Sequence, residues 1–374
     1  MISSDPIAQA LRAAVQEGVF PGAVLLVRRN QTILYHEAAG FISSLPFSSA
    51  AHVNILYDLA SLTKPLATAS AVLCLVQDGL VHLNQTVGSI LPLLGHTPVG
   101  QATVRDLLCH QSGLPAWRPY FTQCGRQQFP WPPSNPVEEG RSFMLDKIRQ
   151  EPLEYQPRSK TLYSDLGFIL LGFVIEQKTG LSLSRYCQER IFDPLGAKPL
   201  SFRHCEGVSP DPERGSLDIA PTEQDPWRGR LLQGEVHDEN AYLLHGVAGH
   251  SGLFGTAAAV AALTGAWLEG YWGRQAFFDQ TLVREFVARQ QGTSWALGWD
   301  TPSRPSSSGT HFSEAAFGHL GFTGTSVWID PTPGVEVILL SNRVHPTRDN
   351  NRIKDFRPMI HDLVYEELVR TSHS

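Results

Sequence analysis

Short apolar runs occur in pairs near both ends of the chain. Residues 23–27 and 33–39 form the first pair, and a turn around Asn30 separates them. Residues 326–329 and 335–340 form the second pair, which the sequence Pro-Thr-Pro-Gly at 331–334 joins. Apolar runs bounded by turn-forming residues are typical of β-hairpins. The pattern therefore predicts one hairpin near each end.

A helix with one apolar face is predicted outside each hairpin. Asp5 precedes Pro6, apolar residues then recur at helical spacing, and Gly18 follows, which is the pattern of a capped helix. The last helix is predicted to begin near Ile353. Its apolar face consists of Met359, Ile360, Leu363, Val364 and Leu368.

Together the two ends predict one α/β unit interrupted by an insertion. We expect residues 1–75 and 246–374 to form a sandwich in which helices flank an antiparallel sheet. Residues 76–245 are then a mainly helical inserted region. Within it, residues 115–136 are too rich in proline for a helix or a central strand. We expect a surface loop there, with Trp117 facing a cleft.

Composition indicates a globular protein that acts on small substrates. The chain has 374 residues, of which 42% are hydrophobic and 18% charged, and its net charge is -6. No run of Lys and Arg exceeds two residues, so we expect neither nucleic acid nor membrane as a partner. A small molecule or a short peptide is the expected substrate, and the oligomeric state is left open.

The N-terminal sequence lacks a basic segment followed by an apolar stretch, and no 18 consecutive apolar residues occur. We therefore expect a cytoplasmic protein. The five cysteines are spaced irregularly and include no CxxC pair, which indicates free buried thiols rather than a disulfide framework or a zinc site.

Candidate chemistry begins at Ser61 and Lys64, which are three positions apart at the start of an apolar helical segment. Side chains at this spacing share a helix face, so the amine can take the proton of a nucleophilic hydroxyl. Action as a base near pH 7 requires a lowered pKa, through burial or a neighbouring positive charge. Taken alone, the pattern also suits a capped surface helix.

Two further segments strengthen this interpretation. Tyr163 stands where a loop meets the predicted helix that begins near Asp165, so its phenol could pass a proton, with its pKa lowered by the lysine. His319 lies at the edge of the C-terminal hairpin, and Gly321 lets a substrate approach the backbone there. The N–H groups of Phe322 and Ser61 could then form an oxyanion hole.

In order and separation these motifs resemble those of the serine β-lactamase and penicillin-binding-protein superfamily, most closely its class C-like branch. Residues 104–115 and 246–256 are also similar to segments of that branch, and the resemblance covers about residues 10 to 370. It implies a β-lactamase/transpeptidase-like fold and a reaction without metal or cofactor.

The resemblance implies specific roles. Ser61 is the nucleophile, Lys64 its base and Tyr163 the second acid/base, while the strand from His319 through Gly321 to Phe322 binds the acyl group.

Two positions depart from the family pattern. Asp165 stands where the family often has Asn, and its charge could hold Lys64 protonated or attract a substrate amine. His319 stands where β-lactamases and carboxypeptidases usually have the Lys of a KTG motif, and a neutral imidazole binds a carboxylate less well.

The sequence thus predicts a serine hydrolase that forms an acyl-enzyme on an ester or amide. Carboxylesterase-like activity or hydrolysis of D-aminoacyl or cell-wall peptides is favoured. A true β-lactamase, a D-Ala-D-Ala carboxypeptidase and a catalytically inactive ligand-binding homologue are the alternatives.

Three polar groups are interpreted as structural. The segment from His237 to Asn240 is rich in potential metal ligands but lacks HExxH spacing, so a hydrogen-bonded loop is favoured over a substrate-lining element. His110 is expected to be a satisfied structural histidine. The basic residues Arg343, His345, Arg348 and Arg352 are expected to form a solvated face rather than a site for an acidic substrate group.

Overall fold

Both predicted hairpins belong to one antiparallel sheet, and both are confirmed. The computed structural model describes residues 5–124, 136–204, 219–274 and 277–370. From one edge to the other, the strands are β2 (Thr32–Gly40), β1 (Gly22–Arg29), β10 (Val335–Ser341), β9 (Ser326–Asp330) and β8 (Phe317–Leu320). Because β1 pairs with β10, residues from both ends of the chain close the sheet.

Short strands form two smaller sheets. One has the order β3 (Tyr57–Asp58), β7 (Leu253–Gly255) and β4 (Ser201–Phe202), and the other pairs β5 (Gln224–Asp225) with β6 (Arg230–Leu231). The three-stranded sheet places β3, and so the segment that begins with Ser61, beside the segment that precedes β7.

Helices make up a large part of the remaining described chain. They are α1 (Pro6–Gln16), α2 (Ser70–Gln77), α3 (Val87–Ile90), α4 (Val104–Leu108), α5 (Pro136–Gln150), α6 (Asp165–Thr179), α7 (Leu183–Cys187), α8 (Glu239–Leu243), α9 (Ala257–Trp272), α10 (Gln280–Val287) and α11 (Ile353–Val364). Three π-helical segments are Lys64–Ala69, Gln188–Phe192 and Tyr365–Arg370. Four 3-10 segments are Ala60–Leu62, Pro92–Leu94, Val99–Gln101 and Tyr120–Gln123.

Alternation along β1 gives the five-stranded sheet an apolar layer on each face. Ala23, Leu25 and Val27 pack against the layer that α1 and α11 cover. Val24 and Leu26 face the larger core, to which α2, α6 and α9 contribute. Side chains of successive strand residues point to opposite faces, so a strand buried on both faces must be apolar throughout.

The predicted fold class is therefore confirmed: an antiparallel sheet is flanked by helices, with many further helices in the middle of the chain. The domain boundaries at residues 75 and 246 stay a prediction. The four described cysteines are buried and free; Cys205 and part of the proline-rich segment, residues 125–135, lie outside the described residues.

In the described part of the chain, no single helix has the length and apolar character to cross a membrane. Residues 165–179 and 183–192 meet the criterion only as a pair, which is bent by 75°.

One ion pair is buried between the large sheet and α9. Arg28 on β1 donates from Nε to Oε2 of Glu336 on β10 over 2.6 Å, and its guanidinium also reaches the carbonyl of Ala261 in α9. Both side chains are at most 10% exposed. Removing one partner of a buried pair leaves an uncompensated charge, which is far more costly than loss of a surface pair.

We predict that Glu336→Ala lowers the free energy of unfolding by about 3 to 5 kcal/mol, because the Arg28 charge stays buried without its partner. Denaturant unfolding measures this change. The control is Glu189→Ala, which removes a pair with Arg185 whose side chains are 53% and 63% exposed, and should cost about 1 kcal/mol or less. Equal losses in the two variants would contradict the prediction.

Candidate active site

Ser61 lies in an irregular turn between β3 and α2. Residues Ala60–Leu62 form a 3-10 turn and Lys64–Ala69 a π-helical segment, so the regular first helical turn expected here is not formed. The N–H of Ala60 is held by Oδ1 of Asp58 over 2.8 Å, and Ala60 has a φ of 47°. A non-glycine residue in this region is strained, and such strain is common at functional sites. The irregular turn still brings the two predicted side chains together.

The Lys64 ammonium is completely buried and has three oxygen partners. Nζ lies 3.0 Å from Oγ of Ser61, 3.2 Å from the carbonyl oxygen of His250 and 2.6 Å from Oδ1 of Asp165. An ammonium has three N–H donors, so this set can satisfy all of them.

The protonation of Lys64 differs from the expectation. Burial lowers the pKa of Lys64, but the Asp165 carboxylate and the Tyr163 phenol outweigh burial, so the net shift raises it. Sequence reasoning required a lowered pKa and named Asp165 as a possible cause of the opposite effect. The ion pair favours that second reading, in which the resting lysine is protonated.

Tyr163 stands directly before α6, where Ser164 caps the helix by accepting from the N–H of Gly167. The phenol lies close to the side chains of Lys64 and Ser61, both of which lower its pKa. Burial raises the pKa of Tyr163 and outweighs the lowering effect of Lys64, contrary to the lowered pKa expected. At neutral pH the resting site therefore contains a phenol and an ammonium.

His110 packs against the ring of Tyr163. Its ring lies 4.6 Å from the Tyr163 ring, and its Nδ1 accepts from the N–H of Ser164 over 3.0 Å. The structural role predicted for His110 fits this contact. Nε2 is buried and has no hydrogen-bond partner among the described residues, so the ring is only half satisfied.

The turn between β8 and β9, residues 321–325, lies against the segment that precedes Ser61. A Cβ on Gly321 would meet Oγ1 of Thr325 at 1.9 Å and the carbonyl of Leu59 at 2.6 Å, so only glycine fits. Thr325 and Thr323 donate their hydroxyl protons to the carbonyls of Leu59 and Asp58. The predicted glycine thus serves close backbone packing beside the nucleophile.

His319 is buried and uncharged. Burial, aided by the Lys64 charge, lowers its pKa to about 3, and Nδ1 lies 2.8 Å from the carbonyl of Leu320. Since Nδ1 must donate to that carbonyl, the neutral ring leaves Nε2 as an acceptor. An acceptor cannot bind a carboxylate, which agrees with the weaker carboxylate binding expected from the loss of lysine.

A cavity of about 350 Å³ opens beside Ser61. The structure places five of the predicted site residues on its wall: Ser61, Trp117, Tyr163, Asp165 and Phe322. Lys64 lies beneath this wall, within hydrogen-bonding distance of Ser61. The cavity is thus wide enough for a small molecule or the end of a peptide.

Sequence reasoning missed the opposite wall. His237, Asp238 and Glu239 line the cavity together with His250 and Ser251, a position that agrees with the less favoured alternative of a substrate-lining element. The signal was the density of polar residues at 237–240, which was discounted because it lacked metal spacing. In the described part of the chain, no group of His, Cys, Asp and Glu has the arrangement of a metal site.

The missed wall is itself strongly hydrogen-bonded. Asp238 caps α8 through the N–H of Ala241 and also lies 2.8 Å from Nε2 of His250. Burial would raise the pKa of Asp238, but His250 and the helix N–H outweigh it, so Asp238 stays ionised. The N–H of His237 donates to Asp58 over 2.7 Å, which ties this wall to the turn that carries Ser61.

The basic cluster near the last helix is only partly solvated. Arg348 lines the cavity and binds Glu223 and Glu239 over 2.6 and 2.8 Å. Arg343 is buried and donates to the carbonyl of Phe322 over 2.9 Å. The expectation of a solvated face was therefore wrong for Arg343, for the half-buried Arg348, and also for His345, which is buried and hydrogen-bonds the carbonyl of Thr222 over 2.9 Å.

The antiparallel sheet, its flanking helices and the cluster of Ser61, Lys64 and Tyr163 at the cavity agree with the resemblance to serine acyl-transfer enzymes. The sequence matches the family described as Beta-lactamase over residues 7–357, and the chain belongs to this family. The protein is a serine hydrolase.

One relative and two solved structures are similar to this chain. The chain is 32% identical over 359 residues, 89% of its length and 81% of the relative's, to a putative D-alanyl-D-alanine carboxypeptidase of Salmonella gallinarum. The unliganded simvastatin synthase LovD of Aspergillus terreus aligns with a TM-score of 0.72 at 20% identity, covering 98% and 100% of the two chains. EstCE1, a hydrolase with promiscuous acyltransferase activity, aligns with a TM-score of 0.70 at 19% identity, covering 94% and 97%.

We predict that Asp165→Asn shifts the acid limb of the kcat/KM–pH profile to lower pH. A base must be neutral, so activity rises with pH as Lys64 loses its proton, and Asp165 raises the pKa of that lysine. The measurement is ester hydrolysis across pH 5 to 10.

Asp78→Asn is the control, since Asp78 pairs with Arg190 on the surface and should leave the profile unchanged. An acid limb that stays in place in the Asp165 variant would show that Lys64 does not limit the rate in this range.

Proposed function

We propose that Ser61 forms a covalent acyl-enzyme with a small ester or amide, which water then hydrolyses. The observation that carries the proposal is the 3.0 Å contact between Nζ of Lys64 and Oγ of Ser61, made at a cavity wall where Tyr163 meets the same two groups. Nucleophile, base and second acid/base thus meet at one place.

The reaction begins when Lys64 gives up its extra proton and becomes a base. Oγ of Ser61 then attacks the carbonyl carbon, its proton passes to Lys64, and the carbonyl oxygen becomes an oxyanion near the N–H groups of Ser61 and Phe322. When the carbon–heteroatom bond breaks, Lys64 or Tyr163 protonates the alcohol or amine that leaves. Water repeats the attack on the acyl group, and Ser61 recovers its proton.

The charges around the cavity favour an uncharged or amine-bearing substrate. Asp165, Asp238 and Glu239 all line the cavity, whereas Arg348 is already paired with Glu223 and Glu239. Neither the neutral imidazole nor this neutralised guanidinium is well suited to a free carboxylate. We therefore favour carboxylesterase-like activity or hydrolysis of D-aminoacyl compounds that carry an amine.

A second candidate is D-Ala-D-Ala carboxypeptidase activity. It is favoured by the curated relative of that name, which is 32% identical over 89% of this chain. Such a substrate has a terminal carboxylate, so binding would require Arg348 to exchange a glutamate for the substrate.

The proposed function keeps the expected type of partner and the expected chemistry without a cofactor. The proposed partner is a small molecule or short peptide, with neither nucleic acid nor membrane involved, and the proposed chemistry uses no cofactor. A net charge of -6 without a basic run supports this choice of partner.

Ser61→Ala should reduce hydrolysis of a short-chain p-nitrophenyl ester at least about 10³-fold in kcat, because the acyl-enzyme cannot form. A fluorophosphonate should add covalently to Ser61 in the wild-type protein, as read by mass spectrometry of its peptides. Ser89→Ala, at an exposed position, is the matched control and should keep both activities. Absence of the wild-type adduct would instead identify an inactive ligand-binding homologue.

A substrate panel should separate the candidates. We expect kcat/KM for uncharged esters or D-aminoacyl amides to exceed that for D-Ala-D-Ala peptides and for nitrocefin by at least about tenfold, because Arg348, which is on the described cavity wall, is already paired with Glu223 and Glu239. Higher values for the D-Ala-D-Ala peptide would establish the second candidate. Rapid nitrocefin hydrolysis would instead identify a true β-lactamase.

A further inference from the structure

Arg357 is a buried guanidinium on α11 whose hydrogen bonds go to the β8–β9 turn. Nη2 donates to the carbonyls of Gly321 and Thr325 over 3.0 and 2.8 Å. In the described part of the chain, no carboxylate lies within 4.0 Å of this guanidinium. Burial and the nearby Arg343 lower the pKa of Arg357 to about 9. A buried cation without a counter-ion is costly, so its position calls for a physical reason.

The reason lies in the peptide that joins Gly321 to Phe322. This peptide bond is trans, since it is not among the cis bonds of the described residues, each of which precedes a proline. In a planar trans peptide the C=O and N–H groups point in opposite directions. With the Gly321 carbonyl directed at Arg357 in the interior, the N–H of Phe322 points the opposite way, and Phe322 itself is a lining residue of the cavity.

The turn is fixed from several directions at once. The Gly321 carbonyl also accepts from the N–H of Gly324 over 3.1 Å, and the Phe322 carbonyl accepts from Arg343. Thr323 and Thr325 bind carbonyls just before Ser61. The N–H groups of Phe322 and Ser61 have no hydrogen-bond acceptor among the described residues. Arg357 therefore binds the carbonyl side of a peptide whose N–H side has no acceptor among the described residues.

We propose that Arg357 is a positioning residue for acyl transfer, which orients and polarises the Gly321–Phe322 peptide so that its N–H stabilises the oxyanion. A cation bound to a carbonyl oxygen draws electron density from the amide and strengthens its N–H as a donor. The inference rests on the proposed function, since it concerns the oxyanion formed when Ser61 attacks.

Arg357→Met tests the inference, because it keeps an unbranched apolar stem but removes both the charge and the donors. We expect kcat for the p-nitrophenyl ester to fall about 10- to 100-fold, less than the loss of a whole oxyanion donor, while KM changes little. A boronic acid that adds to Ser61 as a tetrahedral anion should lose affinity by the same factor. Arg357→Lys, which keeps the charge and one donor group, should recover part of both.

A merely structural role would give another pattern. It would lower the thermal midpoint and the fraction of protein that a fluorophosphonate titrates, while the active fraction kept its wild-type kcat. Arg284→Met is the matched control, since Arg284 also binds a backbone carbonyl, that of Tyr271, away from the site. It should leave kcat and boronate affinity unchanged.

The possible failures are distinguishable. A wild-type protein without an adduct at Ser61 would overturn both the proposed function and this inference. An active wild type with unchanged kcat and boronate affinity in Arg357→Met would overturn the inference alone. If the Met variant does not fold, Arg357→Lys decides in the same way: full wild-type kcat and boronate affinity with lysine would show that the guanidinium contacts are not required.

Discussion

Burial of the Lys64 ammonium is the constraint on which the rest of the site depends. A lysine removed from water is tolerated only where hydrogen bonds and opposite charge replace its hydration. Its partners come from separate parts of the chain: Ser61 from the same turn, Asp165 from the start of α6, and the His250 carbonyl from the segment before β7. Docking of these segments thus fixes the lysine and the geometry around the nucleophile together.

The same ion pair that makes burial possible opposes catalysis by a neutral amine. Asp165 and Tyr163 raise the pKa of Lys64 more than burial lowers it. A neutral residue at position 165 would relieve this effect but would leave the buried ammonium with one strong partner fewer. Asp165 therefore stabilises the resting site, but it also keeps Lys64 protonated, and the protonated lysine cannot act as a base.

Much of the fold could be predicted from local sequence, whereas the completed site could not. Apolar runs and turn residues predict both hairpins, and Ser61, Lys64 and Tyr163 follow from motif spacing. The wall formed by Asp238 and His250 depends on contacts such as the bond from His237 to Asp58, which joins residues 179 positions apart. The strained φ of Ala60 also escaped prediction, because it is imposed by Asp58 and the neighbouring strands rather than by alanine itself.

The cationic side chains near this site bind other groups of the protein, which are carboxylates or backbone carbonyls, and so are not free to bind a substrate carboxylate. His319 is neutral, Arg348 is paired with two glutamates, and the guanidinium groups of Arg343 and Arg357 bind carbonyls of the β8–β9 turn. The arrangement transfers the effect of cationic charge from substrate recognition to the peptide that meets the oxyanion. Under the proposed function, such a site would stabilise the oxyanion of an acyl donor without requiring a carboxylate on the substrate.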